Sequence, residues 1–163
     1  MTSDAVRDLQ QLLASMEPAL DPEPYAFTTG PALPDCPAVV SVVEAEGVTA
    51  VVARADAERL GLAHEYVAAR ITLTVHTALE AVGLTAAVAR ALADAGISCN
   101  VVAGYFHDHL FVPWERREGA IAALEALTAP ESPWPGSRSR GRGTQAAGGG
   151  GGVGAPAGGA TRG

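Results

Sequence analysis

His107, Asp108 and His109 are the residues whose types and spacing first suggest chemistry. Two imidazoles two positions apart share one face of a strand, with a carboxylate between them. A metal site needs three or four ligands and further groups that orient them. The other two histidines, His64 and His76, stand at no spacing that joins them to this pair. A hairpin tip accounts for His107 and Asp108 equally well, because Asp tolerates turn conformations. Ligand contact and packing between copies are the remaining readings, and no metal is expected.

Other reactive groups are sparse. Cys36 and Cys99 are too few for a disulfide framework or a cysteine zinc site. Cys99 falls in an apolar run and is expected to pack as a small hydrophobe. Glu44, Glu46 and Glu80 could offer carboxylates, but charged turn residues are usually solvated. No serine or cysteine stands in a nucleophile motif. All 11 basic residues are arginine, so there is no Schiff-base lysine and no phosphate-loop lysine. The expectation is a protein that is not an enzyme and carries no cofactor.

The rest of the composition bounds the partners. The chain has 163 residues, 48% of them hydrophobic, enough for a core in one domain or two very small ones. Residues 1–130 hold 7 arginines against 17 acidic residues, a net charge of −10. An acidic body repels a phosphate backbone, so no nucleic acid is expected. Apolar runs stop well short of the roughly 20 residues that cross a bilayer, so no membrane partner is expected. No secretory pattern opens the chain, and a cytoplasmic location is the reading. Residues 131–163 contain 12 of the 19 glycines and a net charge of +3. A disordered Gly/Arg-rich tail is expected there, because such a segment buries too little apolar surface to offset its chain entropy.

These residues need elements to position them. Val6, Leu9, Leu12, Leu13 and Met16 recur at helical spacing over 3–16, and Pro18 and Pro22 are expected to end that helix. Short strands are expected at 25–29 and 48–53, with an apolar run at 39–43 and a short helix at 55–60 closed by Gly61. Over 67–76, Ile71, Leu73 and Val75 alternate with Arg70, Thr72, Thr74 and His76, a strand pattern. Leu84, Ala87, Val88, Ala91, Leu92 and Ala95 form one helical stripe ended by Gly96. Apolar runs at 97–106 and 110–114 suit a hairpin joined at His107-Asp108, and 117–127 closes the fold as a helix. The element order fits two βαββαβ-like units, each short of one terminal strand. Sheet edges left open in this way call for cover, and a homodimer is one means of supplying it.

The segment Ile71-Thr72-Leu73-Thr74-Val75-His76, followed by Ala81-Val82-Gly83-Leu84-Thr85 and the helix to Ala95-Gly96-Ile97, resembles the ACT domain family. The continuation from Cys99-Asn100-Val101-Val102 to Val112-Pro113 is similar to standalone bacterial proteins built from two ACT-like units. Leu9 to Leu20 and Glu46-Gly47-Val48-Thr49 fit that group as well. The resemblance implies an α+β fold of tandem ferredoxin-like units, with antiparallel sheets and helices on one face. It implies an N-terminal ACT-like unit over 1–65, a C-terminal ACT domain over 66–130, and a tail over 131–163.

The resemblance also implies a small-molecule ligand, often an amino acid, bound where units pack side by side. On these residues, Gly83 would let a ligand approach the backbone, and the N–H groups of Gly83, Leu84 and Thr85 would meet a carboxylate. Thr77 at the strand end and Asn100 in the next strand would add polar contacts, and Val82 and Val102 an apolar wall. Each has a plainer role open to it: tight packing for Gly83, a turn for Thr77, capping a strand end for Asn100. The functional expectation is non-catalytic binding of an amino acid or similar metabolite by a sensor or regulatory protein. The alternatives are a structural or dimerisation module with no ligand, and a small metal-assisted enzyme using His107 and His109.

Overall fold

A computed structural model describes residues 3–74 and 83–129, with the backbone alone for residues 3–8. The elements run α1 (Ser3–Ala14), β1 (Pro18–Gly30), β2 (Ala38–Glu44), β3 (Gly47–Ala53), α2 (Arg54–Arg59) and β4 (Val67–Leu73). They continue with α3 (Leu84–Asp94), β5 (Asn100–Ala103), β6 (Asp108–Pro113), a single 3-10 turn (Trp114–Arg116) and α4 (Arg117–Thr128). All six strands join one antiparallel sheet in the order β2-β3-β1-β4-β6-β5.

That order is symmetric about the β1–β4 pair. The runs β1-β2-β3-α2 and β4-α3-β5-β6-α4 repeat one plan, except that residues 31–37 form a loop where the second run has α3. A βαββαβ unit needs a fourth strand beside its first. Here β4 takes that place for the first run and β1 takes it for the second. The fold is α+β, two ferredoxin-like units sharing their leading strands.

Side-chain alternation sorts the sheet into two faces. Ala69, Ile71, Leu73, Leu110 and Val112 turn to one side and pack with Leu9, Leu13 and Met16, with Leu84, Val88 and Leu92 of α3, and with Ala120 and Leu124 of α4. Ala57 of α2 covers Ala26, Ala50 and Val52 further along that side. The helix-free face holds Tyr25, Val51, Ala68 and Phe111, flanked by Phe27, Val40, Tyr66 and Val102. There the rings meet edge to face: Phe27 to Phe111 at 5.5 Å, Phe27 to Tyr66 at 5.6 Å and Tyr25 to Phe111 at 6.2 Å. Mutual covering leaves Phe111 wholly buried, with no helix above it among the described residues.

Three local expectations need correction. The first strand begins at Pro18 and extends well before residue 25. Its prolines fit because the register shifts between Leu20 and Pro24, so Asp21, Pro22 and Glu23 bulge opposite the single residue Arg70. The strand after α3 is only Asn100–Ala103, and the turn between it and β6 spans residues 104–107. His107 therefore lies in the turn, not on a strand with His109. The Gly104 N–H donates to the His107 carbonyl at 3.0 Å across this turn, an approach at which a Cβ on residue 104 would sit 2.6 Å from that oxygen. The strand stretch 74–76 and the expected tail lie largely or wholly outside the described residues.

Candidate functional site

The start of α3 is set by Gly83, whose φ of 104° is a left-handed conformation that suits glycine. No side chain caps this terminus among the described residues, and the ladder begins with Ala87 N–H donating to the Gly83 carbonyl at 2.9 Å. The first-turn N–H groups of Leu84 and Thr85 thus have no intrahelical partner. Leu84 turns its side chain into the core, and Thr85 is exposed. On the helix side a methyl added at Gly83 would meet the Leu9 side chain at 3.0 Å. Thr77 and Val82 lie outside the described residues.

Asn100 and Val102 belong elsewhere. Asn100 pairs with Phe111 and Val102 with His109, so both project from the helix-free face, across the sheet from α3. Strand alternation is the reason: of the β5 residues, Val101 and Ala103 turn to the helix side, and Val101 packs against its core. Within the described residues, Gly83, Leu84 and Thr85 form one group and Asn100 and Val102 another.

The second group sits beside a polar network that the sequence reading did not single out. The bulge in β1 aims the Asp21 carboxylate at β4, where Arg70 donates to Oδ2 from Nε at 3.1 Å and also from Nη2. The Tyr25 hydroxyl donates to the same oxygen at 2.8 Å, and the Arg70 guanidinium carbon lies 4.8 Å from the Tyr25 ring centre. Burial works to raise the Asp21 pKa, but the Tyr25 hydroxyl, the Glu23 N–H and Arg70 together hold it below the usual carboxylate value. Burial and the neighbouring Asp21 push Tyr25 up to about 12. Next along the face, Thr72 Oγ1 and His109 Nδ1 are 3.0 Å apart, within hydrogen-bond distance. Burial first, then the charge of Arg70, keep the His109 pKa below its ordinary value.

A lone arginine inside the strand 67–73 and an aspartate set between prolines were the available signals for this network. Long-range pairing across 49 residues was not readable from them.

Burial pushes the Cys99 thiol up to about 11, leaving it a poor nucleophile at neutral pH. Among the described residues no three His, Cys, Asp or Glu side chains converge as metal ligands. No helix among them is long and apolar enough to cross a membrane.

ACT domain family models match residues 4–69 and 68–126. A crystal structure of a Vibrio cholerae protein of unknown function, VC0802, described as a possible transport protein, is 41% identical over 77% of this chain and 99% of its own, with a TM-score of 0.70. The chain belongs to the ACT domain family. The Agrobacterium tumefaciens protein Atu0741 shares the ACT fold at 17% identity and a TM-score of 0.55, over 69% of this chain and 89% of that one. So does the ligand-free regulatory subunit of aspartate kinase from Thermus thermophilus, at 13% identity and a TM-score of 0.53, over 69% and 96%. No curated protein matches the chain. The two ACT matches overlap at residues 68–69, inside β4, the strand that both units use.

Proposed function

We propose that this tandem ACT protein binds an amino acid or a similar carboxylate-bearing metabolite without transforming it, as a sensor or regulatory protein. The observation that carries this reading is the start of α3, which no described side chain caps, and where Gly83 turns the chain and leaves the N–H groups of Leu84 and Thr85 without intrahelical partners. A helix N-terminus favours a carboxylate through those donors and through its dipole. The resemblance of the fold to an aspartate kinase regulatory subunit supports a regulatory role of the same kind. Thr77 and Val82, next to this turn in sequence, complete the proposed site. Asn100 and Val102 form a second candidate contact surface on the other face, beside Arg70 and His109.

A ligand-free structural module is the second reading, and one observation favours it: Leu9 already lies against Gly83. A thermal-shift screen of the twenty amino acids and related metabolites decides between them. A binder is expected to raise the melting temperature, and Thr77→Ala is expected to weaken it about tenfold or more, the loss of a hydrogen bond to a charged group. Weakening by Asn100→Ala instead moves the site to the helix-free face. No hit at millimolar concentration leaves the structural module.

A further inference from the structure

Arg70 is held along one edge only. Asp21 Oδ2 accepts from its Nε and Nη2, and the Tyr25 ring centre lies 4.8 Å from the guanidinium carbon. Asp21 is itself fully engaged: Oδ2 also accepts from the Tyr25 hydroxyl, and Oδ1 accepts from the Glu23 N–H at 3.2 Å. A guanidinium carries five N–H donors. Nη1 and the second N–H of Nη2 have no partner among the described residues, and the side chain is 26% exposed. An arginine fixed along one edge, with its outer edge free, is preorganised to grip an oxyanion with two parallel hydrogen bonds.

His109 stands diagonally across from Arg70. Thr72 pairs with His109 and Arg70 with Phe111, so the two side chains leave the same face from adjacent strands, at a diagonal spacing of roughly 7–8 Å. A Thr72 hydroxyl that donates to Nδ1, 3.0 Å away, puts the ring proton on Nε2. Nε2 lies beside Gly104, where a Cβ would come within 3.3 Å of it. Residue 104 has no side chain, so none is laid over that nitrogen from this position of the turn.

We infer that Arg70 and His109 form an oxyanion-binding site on the helix-free face, one that takes the carboxylate or phosphate group of a small metabolite. Charge sets the size of the ligand. The chain's net −7 repels a polyanion, whereas a small anion meets two donors locally. Val102, opposite His109 on β5, and Asn100 on the same face border the site. The start of α3 lies across the sheet, and the two sites are independent of each other.

Binding here is coupled to a proton. Around His109 stand Arg70 and Thr72 on β4, Val102 on β5, His107 in the turn and Asp108 next in the chain; Arg70 in turn faces Asp21 and Tyr25. Burial, Arg70 and His107 disfavour the imidazolium, and Asp108 favours it. A bound oxyanion offsets the Arg70 charge and pairs with the imidazolium, which raises the His109 pKa. Linkage then requires proton uptake on binding, with affinity that rises as the pH falls through the histidine range.

Sulfate is the probe, because its charge stays constant across that range. The full chain is titrated with sodium sulfate, against sodium chloride at equal ionic strength. Sulfate is expected to shift the His109 ring resonances and the Thr72 and Val102 amides in NMR spectra, and to bind at least threefold tighter at about pH 5.5 than at about pH 7.5. Arg70→Lys keeps the charge and loses the fork, and should weaken binding at least fivefold. His109→Gln should remove the pH dependence. Acetate and inorganic phosphate, compared at about pH 7.5, show whether a carboxylate or a phosphate is the better fit. Shifts that chloride reproduces overturn the site. So do sulfate shifts confined to Leu84 and Thr85, a result that leaves the carboxylate reading of α3 standing. Unchanged pH dependence in His109→Gln, with Arg70→Lys binding as tightly as wild type, overturns it as well. Should Arg70→Lys fail to fold by circular dichroism, the His109→Gln titration decides alone.

Discussion

The Leu9 side chain of α1 comes within 3.0 Å of the point where a side chain on Gly83 would begin. The glycine is therefore held by two requirements at once, its left-handed backbone and the helix packed against it. Gly83→Ala is expected to cost on the order of 1–3 kcal/mol, from left-handed strain plus crowding. Urea denaturation of Gly83→Ala, Leu9→Ala and the double variant separates the two. The double variant should lose less than the sum of the singles, because Leu9→Ala removes the crowding. Strict additivity would show that only the backbone conformation matters.

Asp21 and Arg70 should be coupled. Both side chains are mostly buried, at 19% and 26% exposure, and removing one leaves the other charged in a poorly solvated place. A double-mutant cycle with Asp21→Asn and Arg70→Met is expected to return about 1–2 kcal/mol of coupling. A value near zero would class the pair with ordinary surface ion pairs.

The same network predicts how stability depends on pH. His109 has a pKa below its ordinary value in the fold, so the unfolded chain binds more protons as the pH falls through the histidine range. Stability should thus decline as the pH is lowered from about 6.5. His109→Gln should flatten that decline. Asp21, also lowered, removes stability at more acidic pH, below the ordinary carboxylate value. Tyr25, raised to about 12, acts in the opposite direction: its contribution is complete below pH ~10 and fades as the pH approaches 12. Denaturant midpoints across pH 4–8 for wild type and His109→Gln test the acid side; equal slopes would rule out His109 as the source.

Removing residues 131–163 should leave the melting temperature within a few degrees. The buried hydrophobic residues among those described run from Leu9 to Leu124, and the removed segment is rich in glycine. A larger drop would mean that Trp134 or Val153 packs on the body.

The sequence made the helix-side core easy to read and the opposite face hard. Alternation in Ile71 and Leu73 and the stripe from Leu84 to Leu92 each report a local period, and both meet the same core. The glycines at 61, 83 and 96 marked turns that do have positive φ. Asp21 is a different case. Its surroundings, three prolines within seven residues, read locally as a break, yet β1 runs through them because β4 pairs on either side of the bulge. The ACT resemblance groups Asn100 and Val102 with Gly83. The pleat sends them to the other side of the sheet, a consequence of register that no local pattern displays.

The exchange of leading strands bears on how this chain can be divided. A cut before β4 would leave the first half with β1 as a raw edge and take from the second half the strand that lies against β4. Tyr25 and Phe27 come from one half and Phe111 from the other, so the aromatic cluster would be split as well. Neither piece would then keep the strand pairing it has in the whole chain, although family models match residues 4–69 and 68–126 separately. The two units would melt together in one cooperative transition, a single thermodynamic body under two family matches.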